Sequence, residues 1–129
     1  MSENFNIEII SPEKKLLSSK ASSVIIPGFE GEMTILPEHI SLITFLKPGF
    51  IVVEGEKTSK YFVEDGTVEF SNNNLSILSS SIIESSLMKK ESVDKMIEES
   101  KAQLNNENLS DKQKYVIEHK LDCLTRVNY

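Results

Sequence analysis

The stretch PGFEGEMTILPEH, residues 27–39, places a short apolar run between two groups of turn-forming residues. Pro27–Gly28 and Gly31 are typical turn residues, and a second proline opens the pair at 37–38. Between the turns, the MTIL segment (33–36) has the apolar and β-branched residues that favour strands. The stretch therefore predicts a tight turn, a strand and a second turn.

Short runs of the same kind recur along the first part of the chain. In FNIEI (5–9), Phe5, Ile7 and Ile9 alternate with polar residues, with the period of two that a half-buried strand has. Turn signals about every 8–12 residues are typical of a sandwich or barrel. We predict a mainly β plus α fold, with an N-terminal antiparallel β-sandwich of about ten strands over residues 1–86. The other runs that predict strands are SVII, MTIL, FIVV, KYFV, TVEF and LSIL.

Residues 87–129 differ from the first part in composition. All five glycines and all four prolines precede residue 70. Residues 1–86 carry 6 Lys/Arg and 12 Asp/Glu, whereas residues 87–129 carry 8 of each. This change in chain breakers and in charge predicts a boundary near residues 84–91, between a sandwich domain and a second domain over 87–129.

The first predicted helix is SVDKMIEESKAQL, residues 92–104. Ser92 fits the N-cap position, and Asp94 fits the first turn, where a negative charge interacts favourably with the helix dipole. One face of this helix carries Val93, Met96, Ile97, Ser100 and Leu104.

The second predicted helix follows the interruption NNENLS. Ser110 with Gln113 fits a capping box at its start. Two helices with a short connection predict a two-helix antiparallel hairpin over residues 87–129, and their narrow apolar stripes suggest that it is marginally stable alone. The stripe of the second helix consists of Val116, Ile117, Leu121, Leu124 and Val127.

Composition excludes several function classes. The net charge of −6 disfavours nucleic acid as a partner, because phosphate binding needs a basic face. The single cysteine, Cys123, cannot form an internal disulfide and favours a reducing compartment. The opening residues lack the pattern of a secretory signal, and no apolar run approaches the roughly 18–20 residues of a membrane span.

The most conspicuous candidate site is His39 with Glu30, Glu32 and Glu38. A zinc site needs three or four converging ligands, but no second histidine or cysteine lies nearby and Pro37 turns the chain before His39. The sequence has no G-x-S-x-G nucleophile motif and no phosphate-binding glycine loop. We predict no metal site and no catalytic residue, although a pair of carboxylates brought together by the fold stays open at this point.

Residues 24–49, VIIPGFEGEMTILPEHISLITFLKPG, resemble the signature V-x-x-P-G-x-E-G-E-x-G-I-L-P-x-H-x-P-x-x-x-x-L-x-P-G of the epsilon subunit of the rotary ATP synthase. The flanking segments IEIISPEKKLLS and YFVEDGTVEFSNNNLSIL resemble its first strands and its later hairpin, so the resemblance extends over the whole chain. The family usually has Gly in place of Thr34 and often Pro in place of Ser41. The matching positions are Val24, Pro27, Gly28, Glu30, Gly31, Glu32, Ile35, Leu36, Pro37, His39, Leu46, Pro48 and Gly49.

The resemblance implies a non-catalytic subunit of the central stalk. Such a subunit binds the gamma subunit, sits on the c-ring and couples proton translocation to ATP synthesis. The resemblance also implies a peripheral position at the cytoplasmic face of the bacterial inner membrane, reached only through the complex. Glu32 and His39 correspond to the turns that face the c-ring in the family. Whether the ring carries protons or sodium stays open.

The hairpin of some family members reaches the alpha and beta subunits. The resemblance implies contacts to the beta subunit from Lys112, Lys114, Lys120 and Arg126, residues that otherwise predict an ordinary solvated face. Whether this hairpin inhibits ATP hydrolysis stays open.

Some bacterial members bind ATP through an (I/L)DxxRA segment in the first helix. In the corresponding segment VDKMIE (93–98), Asp94 matches but Ile97 stands in the arginine position. Because a charge-assisted contact to phosphate is missing, the resemblance predicts no bound ATP and no other cofactor.

Two other functions are compatible with parts of the sequence. A stand-alone ligand-binding β-sandwich, such as a carbohydrate module, needs exposed aromatic residues over a groove. The chain has no Trp, and its tyrosines are Tyr61, Tyr115 and Tyr129. A small hydrolase using Glu32 and His39 is the third interpretation.

Overall fold

The computed structural model describes residues 3–126, which form nine β-strands followed by two α-helices. A 3-10 turn at Ser85–Leu87 leads into α1 (Lys90–Leu104) and then α2 (Asp111–Thr125). The predicted β-sandwich followed by a helical hairpin is confirmed. The strands are β1 (Phe5–Ile10), β2 (Lys15–Gly28), β3 (Gly31–Ile35), β4 (Leu42–Leu46), β5 (Gly49–Gly55), β6 (Thr58–Val63), β7 (Gly66–Ser71), β8 (Asn74–Leu78) and β9 (Ile82–Glu84).

The long strand β2 connects the two layers of the sandwich. It pairs with β1 through residues 15–21, with β5 through 21–25 and with β3 through 24–28. The order is β1–β8–β7–β4 on one side and β2–β5–β6–β9 on the other, and Gly28 pairs with Leu46 to join β4 to β2. Among the described strands, every pair is antiparallel except β1–β8, which is parallel, an arrangement that needs a long connection between the two strands.

The sequence patterns identified some of the strands and missed others. The alternation in β1 is confirmed, because Phe5, Ile7 and Ile9 are buried in the core and Phe5 packs edge-on against Phe70 at 5.6 Å. The runs named from the sequence did not include β4 or β9, and of β2 they included only SVII. The first half of β2 is polar and largely exposed, so its strand conformation follows from pairing with β1 and not from an apolar pattern.

The turn predicted at residues 27–31 is confirmed. Gly31 has a φ of 141°, a conformation that residues with a side chain rarely adopt. A Cβ added to Gly28 would lie 2.8 Å from the carbonyl oxygen of Gly31, so the turn leaves no space for a side chain there. These two glycines let β2 and β3 form a tight hairpin.

The predicted start of the first helix is wrong. The N-cap of α1 is Lys89, which makes no side-chain cap, and Ser92 and Asp94 lie beyond the first helical residues. The helix starts early because Met88, just before it, is buried against the sandwich and fixes the chain there. For α2 the predicted capping box is confirmed. The backbone N–H of Gln113 donates to Ser110 Oγ at 3.1 Å, and the N–H of Ser110 donates to Gln113 Oε1 at 2.8 Å.

The hairpin packs onto the sandwich through a small apolar cluster separate from the main core. Within it, the sandwich contributes buried Phe62 of β6, so the stripes of the helices are partly covered by the sandwich and not only by each other. Val127 of the predicted stripe lies outside the described residues. Within residues 3–126, no helix combines the length and apolarity needed to cross a bilayer. The cluster consists of Phe62, Met88, Val93 and Leu124, with Phe50, Met96, Ile97 and Cys123 partly buried around it.

Ser100 and Ser110 should respond in opposite ways to the same substitution. Ser100 is fully buried, and its Oγ has no hydrogen-bond partner within the described part of the chain. Ser100→Ala should therefore raise the free energy of unfolding by about 1 kcal/mol. Ser110→Ala should lower it by about 1 kcal/mol, because the cap of α2 is lost. Urea unfolding of both variants measures the two changes.

Ser92→Ala is the matched control. Ser92 is exposed and caps no helix, so its replacement should change stability by no more than about 0.5 kcal/mol. A loss of stability in Ser100→Ala would contradict the account of an unpaired buried hydroxyl.

Candidate functional site

Glu32 and His39 lie at opposite ends of β3. Glu32 is exposed, and it pairs with Pro27 one residue after the β2–β3 turn. His39 lies in the loop that follows β3, where its ring meets Phe70 edge-on at 5.9 Å. The strand from Glu32 to its end covers about 10 Å at roughly 3.3 Å per residue. The fold therefore does not bring the two residues together as one catalytic pair.

The loop that carries His39 is tightly held. His39 is half-buried, and its Nδ1 lies 2.7 Å from the carbonyl oxygen of Ile40. Glu38 has a φ of 64°, in the left-handed region, and its backbone N–H donates to Asn73 Oδ1 at 2.6 Å. Leu36 and Ile40 on either side are exposed. The loop thus presents apolar side chains from a constrained backbone.

Strand β4 exposes large apolar side chains on the outside of the sandwich. Ile43 is 74% exposed and Phe45 is 62% exposed, whereas Leu46 is buried. The register places Phe45 in one row with Thr67 and Leu78 of the neighbouring strands β7 and β8. Exposed apolar side chains that share a row are typical of an interaction surface. We call Ile43, Phe45 and Leu78 the apolar face.

A shallow groove of about 970 Å³ borders the apolar face and extends to the hairpin. Phe45 and Leu78 line it on the sandwich, Phe29 lines it at the β2–β3 turn, and Lys112 lines it on α2. A partner that fills this groove would touch both the sandwich and the second helix.

The four cations predicted to contact a partner do not form one strip. Lys112 and Lys120 face the sandwich, where the Lys112 Nζ lies 5.4 Å from the centre of the Phe29 ring and Lys120 forms an ion pair with Glu64. Arg126 pairs with Asp122 at 3.2 Å.

Lys114 is exposed, and the helical repeat places it on the side of α2 away from Lys112. Only part of the predicted basic strip is therefore free in this conformation.

Cys123 is half-buried between the hairpin and the sandwich. Its Sγ lies 3.5 Å from the carbonyl oxygen of Pro48. Burial raises the pKa of the Cys123 thiol, and the charge of Asp122 raises it further, while Arg126 and Lys47 act in the opposite direction. A thiol of this kind reacts slowly, as expected for a packing residue.

The other candidate chemistries find little support in the geometry. Within residues 3–126, no group of three or more His, Cys, Asp or Glu residues is arranged to hold a metal ion. Asp94 is exposed, while Ile97, in the arginine position of the ATP-binding segment, packs into the cluster under the hairpin.

The tyrosines do not form a sugar-binding platform among the described residues. Tyr61 is buried, and burial together with the charge of Glu84 raises the pKa of its phenol. Tyr115 is exposed on one side and packs between Phe29 and His119. Tyr129 lies outside the described part of the chain.

Comparison with known proteins gives the family. Residues 4–85 match the family described as ATP synthase, Delta/Epsilon chain, beta-sandwich domain. The chain is 44% identical over 130 residues to the ATP synthase epsilon chain of Pelagibacter ubique, covering 99% of this chain and 100% of that relative. This chain belongs to the ATP synthase epsilon chain family. It is also 36% identical to the epsilon chain of Allorhizobium ampelinum, over 99% of this chain and 96% of that one.

Solved structures agree on the fold. A chain in the cryo-EM structure of the Euglena gracilis mitochondrial ATP synthase (OSCP/F1/c-ring) superposes with a TM-score of 0.76 at 19% identity, covering 97% of this chain and 79% of that one. A chain in the central stalk/c-ring structure from Tetrahymena thermophila gives 0.62 at 13% identity, over 94% and 93% of the two chains. As a member of the epsilon chain family, the protein is a non-catalytic subunit of an ATP synthase complex.

The apolar face was not found from the sequence. The segment LITFL (42–46) is apolar at four of its five positions, so alternation gives no sign of which side faces out. Apolar residues at both alternating positions of a strand in a sheet with one solvent-facing side are a signal of an exposed interaction surface, and Ile43 beside Leu42 and Phe45 beside Leu46 give that signal here.

Glu32 and His39 should differ in their effect on stability. Glu32→Ala should change the free energy of unfolding by no more than about 0.5 kcal/mol, because the side chain is exposed and makes no ion pair in the described structure. His39→Ala should lower it by about 1 kcal/mol, because the contact with Phe70 and the hydrogen bond to Ile40 are lost. Thermal and urea unfolding of the two variants measure these changes in the free energy of unfolding. A larger loss for Glu32→Ala than for His39→Ala would overturn this assignment.

Proposed function

We propose that this chain is a rotor subunit of the ATP synthase central stalk. In this proposal the sandwich binds the gamma subunit, sits on the c-ring and turns with both, so that proton translocation is coupled to ATP synthesis. The chain acts at the cytoplasmic face of the bacterial inner membrane and reaches it only through the complex. The observation that carries the proposal is the exposed apolar face on a member of the epsilon chain family.

The apolar face is the proposed docking surface for the gamma subunit. Ile43, Phe45 and Leu78 share one side of the sandwich, and their burial would contribute about 25 cal/mol for each Å² of apolar area removed from water. The support for a stalk partner is the likeness to a chain in the central stalk/c-ring structure. A rigid sheet face with apolar side chains is suited to a permanent contact that has to carry torque.

Glu32 and His39 are the proposed contacts to the c-ring. Because β3 separates them, a contact that uses both has to run along this strand, whose exposed side chains include Thr34. The exposed Leu36 and Ile40 extend the surface beside His39. The proposed ring surface is therefore a strip along β3 and the loop after it.

The hairpin is the proposed regulatory part of the subunit. Lys112, Lys114, Lys120 and Arg126 are the proposed contacts to the beta subunit, with the alpha subunit close by. Lys120 is largely buried against the sandwich by its ion pair with Glu64, so α2 has to move before this cation can reach another subunit. Lys112 is exposed and lines the groove, so it needs no such movement. Release of the hairpin would then adjust ATP hydrolysis.

ATP should not bind the isolated chain. Ile97 is packed under the hairpin and carries no charge to pair with a phosphate, so we expect titration calorimetry to give no heat of binding at micromolar ATP. Micromolar affinity in that titration would contradict the absence of a nucleotide site.

Phe45→Ser tests the docking surface. Removing this aromatic side chain should weaken binding to the gamma subunit by about 10-fold to 100-fold, because aromatic residues near the centre of an interface often contribute most of its energy. Folding should be retained, since Phe45 is exposed in the free chain. Binding is measured by surface plasmon resonance with gamma subunit, and by co-purification of the complex from solubilised membranes.

Leu87→Ser is the matched control. Leu87 is 65% exposed, like Phe45, but it lies in the turn between the sandwich and the hairpin. Its replacement should leave gamma binding unchanged. If the wild-type chain does not associate with the gamma subunit, the proposal fails. If both serine variants bind equally well, the apolar face is not the docking surface.

A further inference from the structure

The loop after β3 begins with a turn of uncommon geometry. The backbone N–H of His39 donates to the carbonyl oxygen of Leu36 at 3.1 Å, which closes a four-residue turn. Pro37 occupies its second position, and Glu38, with a φ of 64°, occupies its third. A proline followed by a residue of positive φ is the pattern of a type II turn, whose third position is normally Gly or Asn. Because a Cβ is disfavoured at positive φ, Glu38 needs a stabilising contact to keep this conformation.

Asn73 of the β7–β8 turn supplies that contact. Its Oδ1 accepts the backbone N–H of Glu38 at 2.6 Å. In a type I turn the peptide between the second and third residues is rotated by roughly 150° in ψ of the second residue, so its N–H would point away from Asn73. The hydrogen bond therefore favours the type II form over the type I form that a glutamate adopts without strain.

The backbone around Asn73 has the geometry of a tight hairpin turn. Ser71 pairs with Asn74, and between them Asn72 and Asn73 have φ values of 50° and 58°. Two consecutive residues of positive φ are the pattern of a type I′ turn, in which asparagine is among the favoured residues.

Strand β1 braces this turn from the other side. The backbone N–H of Asn6 donates to the carbonyl oxygen of Asn73 at 2.9 Å, and Asn6 Nδ2 donates to Asn74 Oδ1 at 2.9 Å. Asn74 Nδ2 donates in turn to the carbonyl oxygen of Asn72 at 2.9 Å. The acceptor that holds Glu38 thus belongs to a backbone fixed by β1, β7 and β8.

The type of turn decides how the loop presents its side chains. Leu36 and Ile40 are exposed on either side, while the ring of His39 between them rests on buried Phe70. A change of turn type would redirect the chain from Glu38 onward, so His39 would lose this contact and Ile40 would point in another direction.

We propose that Asn73 is a positioning residue for the c-ring contact and that it holds residues 36–39 in the type II form before the ring binds. This inference rests on the proposed contact of His39 and its loop with the ring. Asn73 acts through the loop and does not have to touch the ring itself. A loop that already has its binding conformation loses less conformational freedom on binding, so this hydrogen bond increases the affinity for the ring.

Asn73→Gly removes the acceptor and keeps the β7–β8 turn. Glycine adopts positive φ readily, and Asn followed by Gly is a preferred pair in a type I′ turn, so the hairpin itself should be retained. Asn73→Asp keeps an oxygen at the same position and should behave like the wild type. Asn72→Gly is the matched control, because Asn72 also has a positive φ but its side chain forms no hydrogen bond within residues 3–126.

The first measurement is the geometry of the turn in the free full-length chain, by NMR. The wild type and Asn72→Gly should show the strong NOE between the Pro37 Hα and the Glu38 amide proton that marks a type II turn. In Asn73→Gly this NOE should weaken, and the Glu38 amide should exchange with solvent about fivefold faster. The ring-current shift that Phe70 causes in the His39 ring protons should change in the same variant.

The second measurement is the affinity of the chain, bound to the gamma subunit, for the detergent-solubilised c-ring. Asn73→Gly should bind about fivefold more weakly, because a smaller fraction of the chains has the binding-competent loop. Asn72→Gly and Asn73→Asp should match the wild type.

Glu38→Gly provides a rescue that separates positioning from general stability. Glycine takes the third position of the turn without strain, so Asn73→Gly should cause little further loss of affinity in the Glu38→Gly background. A loss that came only from a less stable sandwich would be the same in both backgrounds.

The outcomes are distinguishable. An unchanged NOE and exchange rate in Asn73→Gly would overturn its control of the turn. A changed turn with unchanged ring affinity, or an equal loss of affinity with and without Glu38→Gly, would overturn its part in the ring contact. If the wild-type chain does not bind the c-ring, the proposed ring contact fails and this use of Asn73 fails with it, while the NMR comparison still decides whether Asn73 sets the turn.

Discussion

The pairing of β2 with strands of both layers is the constraint on which the rest of the structure depends. This strand of 14 residues pairs with β1 through its first half and with β3 and β5 through its second half. Val24 pairs with Ile35 on one edge and with Val53 on the other, and Ile25 likewise pairs with Thr34 and Val52. Because one backbone serves both layers, the tight turn at Gly28–Gly31 fixes where β3 begins, and the pairing of Gly28 with Leu46 fixes where β4 ends.

The exposed apolar face follows from this geometry. Gly28 pairs with Leu46, and Leu46 is buried, so the alternation of a strand sends Phe45 and Ile43 outward. The register with β7 and β8 then aligns Phe45 with Leu78. A surface suited to a permanent protein contact is thus a direct consequence of core packing, and a sandwich with a large core keeps it rigid.

The hairpin is held in a different way from the strands of the sandwich. A small apolar cluster and a few polar contacts join it to the sandwich. Lys120 and Lys112 of the hairpin take part in those polar contacts. The chain therefore combines a sandwich with a large buried core and a hairpin attached through a much smaller cluster. This division is physically suited to the coupling and regulatory roles proposed for the subunit.

The sequence by itself determined the local features of this protein. Turn glycines, alternating strands, the capping box at Ser110 and the signature of residues 24–49 are all properties of neighbouring residues, so they can be found without a fold. The tertiary structure decided the start of α1, the strand conformation of the polar half of β2, the separation of Glu32 from His39 and the pairing of Lys120 with Glu64. Each of these depends on contacts between distant parts of the chain, where burial and pairing outweigh local preference.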